Sequence, residues 1–503
     1  MFAVLGASYF ACFIALRCTE SPAAIGYSAY ILAVYSCFAC TVDCDGLEAV
    51  VDWISVLDTY SPAVAQQLRD NAHRRLGDYA RSMVEGVPGS PMLRRIGRRH
   101  FETAVARVHG ERLGMSVLQN ALQEFWTAPV LHSGPHVQLY AEELTFTMVA
   151  FAHIAALHSG QRFAWLLPCS TVTMESGRFQ GPGWLTIETV PINVFGLSRR
   201  CLARSSVCAL GGPLEFRLEP PADRAPSGAT SLRQWLGGKT YESASVAFHE
   251  ANRQLLKLWM RKKDTRQIVL DDDFAVELVI EHLQDRDSIL TRCLFDRDRC
   301  QRLHDVIRRL QSELPAALVR YPTDMFWLVR NGRTRKLRLV DNRLVEDGMD
   351  SGCDSVPMHL PVILEMLRQR KLYPNTYIIF FASAILTGSR LLGGVRQALY
   401  MNGLTRSFSE VLSARDADER AVLRVLHDPT LHGWVAGAAW ANADDWRQLL
   451  DFSQAQGALD KVIDRLAGET LQAASADFQR IRYSREIATL SHPNSAESAG
   501  VAV

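Results

Sequence analysis

The sequence predicts an α/β fold with a mostly parallel sheet and extensive helical additions. Three observations predict it. The stretch Ala128–Glu175 reads as one strand–loop–helix–strand unit. Its second strand, Phe163–Leu167, is a continuous apolar run, the pattern of a parallel strand covered on both faces. Far downstream, a second deeply apolar segment, Tyr377–Leu386, leads into Thr387-Gly388-Ser389-Arg390 and Leu391-Leu392-Gly393-Gly394.

Within the first unit, Ala128–Leu131 is a short apolar run ending at His132, and Ser133-Gly134-Pro135 breaks it. From His136 to Leu157 the apolar positions recur at helical spacing, and Ser159-Gly160 ends that helix. Pro168 stops the second strand and hands over to Cys169-Ser170-Thr171. A parallel pair joined by a helix crosses over right-handedly. Polar groups then gather at the carboxyl ends of the strands, where an open α/β sheet binds its ligands. The N–H groups of the first loop stand at a helix start, a place that welcomes an anion or a carboxylate.

The remaining elements follow in chain order. Residues 1–45 form a hydrophobic N-terminal segment. Residues 1–16 and Ser21–Val42 carry no charged side chain, and the second run is long enough to span a bilayer as one helix or a tight hairpin. Gly, Pro, Ser, Tyr and Cys dilute its apolarity, which leaves a buried helix, or residues upstream of the true start, as alternatives. No basic stretch precedes it, unlike a cleaved signal peptide. Cys37, Cys40 and Cys44 fall here without a fourth ligand, so they read as small apolar residues rather than a metal site.

Residues 46–125 read as helical, with amphipathic runs at Leu47–Val56, Val64–Ser82 and Thr103–Phe125. Arg94, Arg95, Arg98 and Arg99 read as a solvated face. Residues 126–218 make the first α/β half, with further strands at Trp184–Val190 and Val207–Leu218. Residues 219–230 read as a linker, and 231–320 as a helical region in which Ser243–Met260 is strongly amphipathic. Asp271-Asp272-Asp273 starts a helix as cap and N-terminal charge rather than as a metal site. Residues 321–405 complete the core. They hold a hairpin around Asn331-Gly332 and a short helix at Pro361–Arg370. Residues 406–485 return to helix, with Leu449, Leu450, Leu459, Val462, Ile463 and Leu466 spaced for a long packed or self-associating helix, and 486–503 read as a disordered tail.

Composition bounds the function. With 503 residues, 48% hydrophobic and 22% charged, the chain is long enough for about three globular domains. A net charge of +1 gives no case for nucleic acid as partner. Eleven scattered Cys favour a reducing, cytoplasmic setting. Gly238-Lys239-Thr240 looks like the end of a P-loop, but Arg233 holds the earlier glycine position and no strand precedes it.

Three patterns in this order resemble the bacillithiol biosynthesis cysteine-adding enzymes, over about residues 126–400. That family has a Thr-Gly-x-Gln loop followed by Leu-Phe and a helix; Ser133-Gly134-Pro135-His136 and Leu139-Tyr140 stand at matching spacing. It has a strand ending in Phe-Trp, then a Glu-Asp-His-Asp cluster and a trailing Glu; here Ala164-Trp165 leads to Cys169-Ser170-Thr171-Val172, with Glu175 trailing. It has Leu-Pro and then Gly-Gly-x-x-Glu-x-x-Tyr; here Tyr373-Pro374 precedes Gly393-Gly394-Val395-Arg396-Gln397-Ala398-Leu399-Tyr400. The resemblance implies a Rossmann-like core with a mostly parallel sheet, helical additions and a coiled coil. It also implies ligase-like activity. Replacement of the acidic and histidine cluster, and of the late Glu by Gln397, implies a lost or altered reaction.

The residues that would line the cleft have named roles. His132 and His136 beside a Gly turn would shuttle a proton or hold a phosphate, or else serve as core or capping residues. Cys169 would be a nucleophile only with a neighbouring base. Ser170 and Thr171 would act catalytically or bind a polar ligand. Glu175 would position an amine. Ser133, Gly134, Gln138, Gln397 and Tyr400 would bind substrate, Gly393 and Gly394 would let backbone approach it, and Arg390 and Arg396 would pair with a carboxylate or phosphate. The expected function is a small-molecule biosynthetic enzyme joining an amine or amino acid to a small polar acceptor. No metal-binding residues are assigned, a requirement for metal or ATP stays open, and so do a homodimer and membrane contact through residues 1–42. The alternative is a non-catalytic, degenerate relative that binds a small molecule or scaffolds a partner.

Overall fold

The computed structural model describes residues 53–85, 91–176, 179–220, 226–261, 265–313, 323–348, 355–428, 432–434 and 442–476. The expectations for the hydrophobic segment 1–45, its cysteines and the tail 486–503 lie outside the described residues.

Five helices open the described chain: Trp53–Tyr60, Pro62–Asp70, Leu76–Val84, Pro91–Leu113 and Met115–Thr127. The runs expected as single helices over 64–82 and 103–125 are each split. The second breaks at Gly114, whose φ of +78° is open to a residue without a Cβ.

Strand β1 is Val130–His132. Its helix starts later than the periodicity predicts, at Glu143, and runs to His158, with the Glu142 side chain accepting from the Thr145 N–H as cap. Residues 133–142 are a loop. Val137, Leu139 and Tyr140 keep their burial there because the loop is hydrogen-bonded into the sheet, Val137 N donating to Cys169 O at 3.0 Å. Strand β2 is Phe163–Leu166.

The strands expected after it leave the parallel sheet. β3 (Trp184–Ile187) and β4 (Val190–Asn193) form an antiparallel hairpin, and β5 (Gly211–Leu214) pairs with β6 (Tyr241–Ser243). The expected linker gives way to a helix at Ser227–Leu236. Ser243 caps the amphipathic helix Ala244–Trp259, accepting from Val246 N at 3.2 Å. Strand β7, Arg266–Val269, interrupts a region expected to be helical, and helices Asp272–Gln284, Ile289–Phe295 and Arg297–Glu313 follow.

β8 (Phe326–Arg330) and β9 (Arg333–Val340) close a hairpin through Asn331 at φ +52° and Gly332 at φ +74°, the two left-handed residues a type I′ turn requires. With β10 (Arg343–Glu346), β11 (Val356–Pro357) and β12 (Leu372–Pro374) they build an antiparallel sheet in the order β11-β10-β9-β8-β12. The apolar segment near Tyr377 is a buried helix, Thr376–Phe380, continuing as one π turn over Phe381–Ile385. It delivers the chain into β13, Arg390–Gly393. Helices Val395–Ser409 and Ala417–Leu426 precede β14, His432–Trp434. The last helices are Ala443–Leu450, Ala458–Gly468 and Leu471–Ala476. Leu449, Leu450, Leu459, Val462, Ile463 and Leu466 are all buried inside this chain, and residues 451–457 interrupt the run expected as one long helix.

The chain is thus a mixed α/β protein around one parallel sheet, β14-β13-β1-β2-β7. Counted along the chain within that sheet, the order is 3-2-1-4-5. The chain starts in the middle, steps outward through β2 to β7, then returns to the other side of β1 as β13 and β14. β1 pairs with β13 from Val130↔Arg390 to His132↔Leu392 and touches β2 at His132↔Leu166. Helices cover both faces, which is why β1, β2 and β13 are buried at every residue. On one face Trp165 of β2 packs on Phe125 (centroids 4.8 Å apart) and Phe101 (6.2 Å). On the other, His132 of β1 meets Phe151 of helix Glu143–His158 (6.3 Å). Among the described residues no helix is long and apolar enough to cross a membrane.

Candidate functional site

The reversal of direction between β1 and β13 creates a crevice outside the carboxyl ends of adjacent strands. Four chain segments meet along those ends: Ser133-Gly134 after β1, Cys169-Ser170-Thr171 after β2, Asp271-Asp272-Asp273 after β7, and Gly393-Gly394 at the end of β13. Ser133 N donates to Leu392 O at 2.9 Å, so the turn after β1 is stitched to the strand that carries the glycine pair.

Side chains of the protein itself fill the β1/β13 side of the crevice. Ser133 Oγ donates to Gln397 Oε1 at 2.5 Å, and a Cβ on Gly393 would collide with the Gln397 amide. Met148 stands against both glycine turns: a Cβ on Gly134 would lie 2.8 Å from its Cγ, and one on Gly394 would lie 3.2 Å from its Cε. Gln397 Nε2 is buried with no hydrogen-bond partner among the described residues.

The β2/β7 side is built around Asp272, which is 1% exposed. Its Oδ2 accepts from Ser170 Oγ at 2.7 Å, from Thr171 N at 3.2 Å and from Ser170 N. Its Oδ1 has no hydrogen-bond partner among the described residues. Burial pushes the carboxyl up to about 7, against the Ser170 hydrogen bonds and with help from the charges of Asp271 and Asp273. Asp271, not Asp272, is the helix cap: its Oδ1 accepts from Asp273 N (3.1 Å) and Phe274 N (3.3 Å). Its Oδ2 lies 2.7 Å from His249 Nε2. Burial raises the Asp271 carboxyl, but the His249 hydrogen bond and charge, the Phe274 N–H and the His109 charge together hold it below the ordinary value. Asp273 turns outward to Arg370 Nε at 2.9 Å.

The residues with assigned roles sort as follows. His132 is 4% exposed, and burial, then the neighbouring His153, lowers its pKa to about 3. Burial therefore favours its neutral form, and it packs under the helix, in keeping with the core-residue alternative. His136 is exposed on the loop, its backbone bridged to Cys169. The Cys169 thiol is pushed up to about 12 by burial and then by Asp272, which disfavours the thiolate; it contacts Thr171 Oγ1 at 3.1 Å. Gln138 belongs to the cap of helix Glu143–His158, Nε2 donating to Glu142 Oε2 at 2.7 Å. Glu175 is occupied by Arg199, whose Nε and Nη2 reach Oε1 at 2.7 and 2.6 Å.

Arg390 lies at the opposite end of the sheet. It pairs with Val130 at the amino end of β13, roughly 10 Å from Gly393 at the usual strand rise, and its guanidinium donates to Met83 O. Tyr400 packs beside Phe380 (6.2 Å), and its carbonyl accepts from Tyr377 Oη at 3.0 Å. The Arg396 side chain lies outside the described residues. Ser133, Gly134, Ser170, Thr171, Gly393, Gly394 and Gln397 are the residues brought together.

Asp272 and the Asp271–His249 pair are the groups that sequence reasoning missed as site residues. Their signal is the order apolar run then carboxylates, Ile268-Val269-Leu270 before Asp271-Asp272-Asp273. It marks the carboxyl end of a buried strand, but four residues of strand are short against a helical background. Among the described residues no group of three or more His, Cys, Asp or Glu is arranged to hold a metal ion. No protein-family model matches the chain, and no curated protein matches it.

Proposed function

We propose that this chain is a non-catalytic protein with a Rossmann-like core, a degenerate relative of ligase-like enzymes that works by binding a small molecule. One observation carries this: the crevice at the switch in strand order is occupied by the protein's own Met148 and Gln397. The chemistry of the lining supports it. A neutral buried His132 and a protonated Cys169 supply neither a base nor a nucleophile near neutral pH.

One group favours the second reading, a ligase joining an amine or amino acid to a small polar acceptor. Asp272, pushed up to about 7 and hydrogen-bonded to the Ser170 hydroxyl, has the proton affinity needed to take a proton from a substrate ammonium. It would replace, from the neighbouring strand, the acidic cluster absent at residues 169–172.

A panel of amino acids and sugar acceptors, with and without ATP, separates the two. Non-catalytic binding gives thermal stabilisation by some panel members and no product, phosphate or pyrophosphate release. Amino-acid-dependent turnover that is abolished in a folded Asp272→Asn variant would establish the ligase reading instead.

A further inference from the structure

A second concavity shares no lining residue with the crevice. Its volume is about 260 Å³, and it is bounded by Thr173, the turn at Ala203 and Arg204, and the edge formed by Arg333–Lys336 with Glu346 and Asp347. Four of its lining residues are cationic and two are carboxylates. Both carboxylates are already engaged. Glu346 lies between Arg330 (3.4 Å) and Arg335 (3.5 Å), and Asp347 accepts from Arg338 Nε at 2.6 Å.

Arg204, Arg333 and Lys336 are left. None has a side chain in a hydrogen bond or ion pair among the described residues, though the Lys336 charge acts on Asp347. The two arginines have no carboxylate partner among those residues, so the concavity carries an excess of positive charge in a chain of net charge +1. Like charges gathered over a low-dielectric wall focus a positive potential there and repel one another until an anion enters.

The wall beneath them is rigid. Thr334 Oγ1 is 2.7 Å from Ser206 Oγ and 3.4 Å from Thr171 O, which ties β9 to the loop after β2. Arg204 and Arg333 line the concavity from two separate chain segments, and each carries a planar fork of donors suited to an oxyanion. The small volume is below the usual range for drug-sized ligands, and it suits a compact anion rather than an extended strand.

We propose that this cleft binds the phosphate or pyrophosphate group of a small molecule through Arg204, Arg333 and Lys336. The site stands apart from the crevice, and it holds whichever reading of the crevice is right.

Calorimetric titration of the full chain with inorganic pyrophosphate tests it. The expected result is saturable binding at one site, weakened as salt rises. Arg204→Gln and Arg333→Gln should each weaken it about tenfold, the loss of a charge-assisted hydrogen bond. Arg204 is exposed and Arg333 half-buried, and neither side chain has a hydrogen-bonding or ion-pairing partner among the described residues, so the variants should keep the wild-type melting temperature. Arg447→Gln, remote and exposed, should bind as the wild type does. Absence of saturable binding, or equal weakening in Arg447→Gln, overturns the site. A single-stranded oligonucleotide that binds more tightly than pyrophosphate and is lost in the same two variants overturns the small-molecule assignment.

Discussion

Asp272 should make the stability of this protein fall as pH rises from acid to neutral, and replacing it with Asn should remove that fall. The carboxyl is 1% exposed, three donors crowd one of its oxygens, and the other has no partner among the described residues. Burial raises it from an ordinary 3.8 to about 7. The folded state therefore holds this proton more tightly than the unfolded chain does. Its contribution is fully present below about pH 3.8 and is lost progressively as pH rises to about 7. A rise of that size corresponds to about 4 kcal/mol. Asn has nearly the same shape and no proton to lose. Urea denaturation of the wild type and Asp272→Asn at several pH values between about 5 and 8 isolates the effect, since other titrating groups are common to both proteins. Asp272→Asn should gain on the wild type by about 1.4 kcal/mol per pH unit up to about pH 7 and then level off. Parallel stability curves would show that Asp272 does not titrate there, and the proton-acceptor role would fall with it.

Three further outcomes follow from the same geometry. Gly134→Ala drives a methyl group into Met148 and should cost about 1–3 kcal/mol, with partial recovery in the Gly134→Ala, Met148→Ala double variant; no recovery would place the strain elsewhere. Iodoacetamide should label Cys169 about a thousandfold more slowly in the folded protein than in urea at pH 8, because its thiol is held near 12. Peptide mass spectrometry reads the ratio, and rapid native labelling would contradict the assigned protonation. Arg199→Ala leaves the Glu175 carboxylate buried without its guanidinium and should destabilise by about 1–3 kcal/mol in denaturation experiments, whereas Glu175→Gln should cost less. Equal costs would mean that the charge is unimportant.

The contents of the crevice follow from the fold. A parallel sheet with helices on both faces leaves its strand ends as the natural place for polar groups, and this chain keeps them there. Ser133, Ser170, Thr171 and Gln397 are all present, yet they bond to one another or to Asp272 rather than facing an open pocket.

Signals that act over a few residues were legible in the sequence. Asn331-Gly332 specifies its own hairpin because both residues accept positive φ. Ser243 and the spacing after it specify a capped helix with one buried face. Phe163–Leu166 shows itself as a two-sided strand by lacking polar residues altogether. The tertiary structure alone decided the rest. β7 is four residues long, and its place beside β2 depends on hydrogen bonds such as Leu270 N to Leu166 O at 2.7 Å, between residues distant in the chain. Parallel pairing carries no turn that could announce it locally. Only that pairing carries Asp272 under the Ser170 turn, and only enclosure by helix Glu143–His158 makes His132 a neutral core residue. Local chemistry selects which residues turn, cap or bury. Proton affinity and access depend on what is packed around a group, and that is set by chain segments far away in sequence.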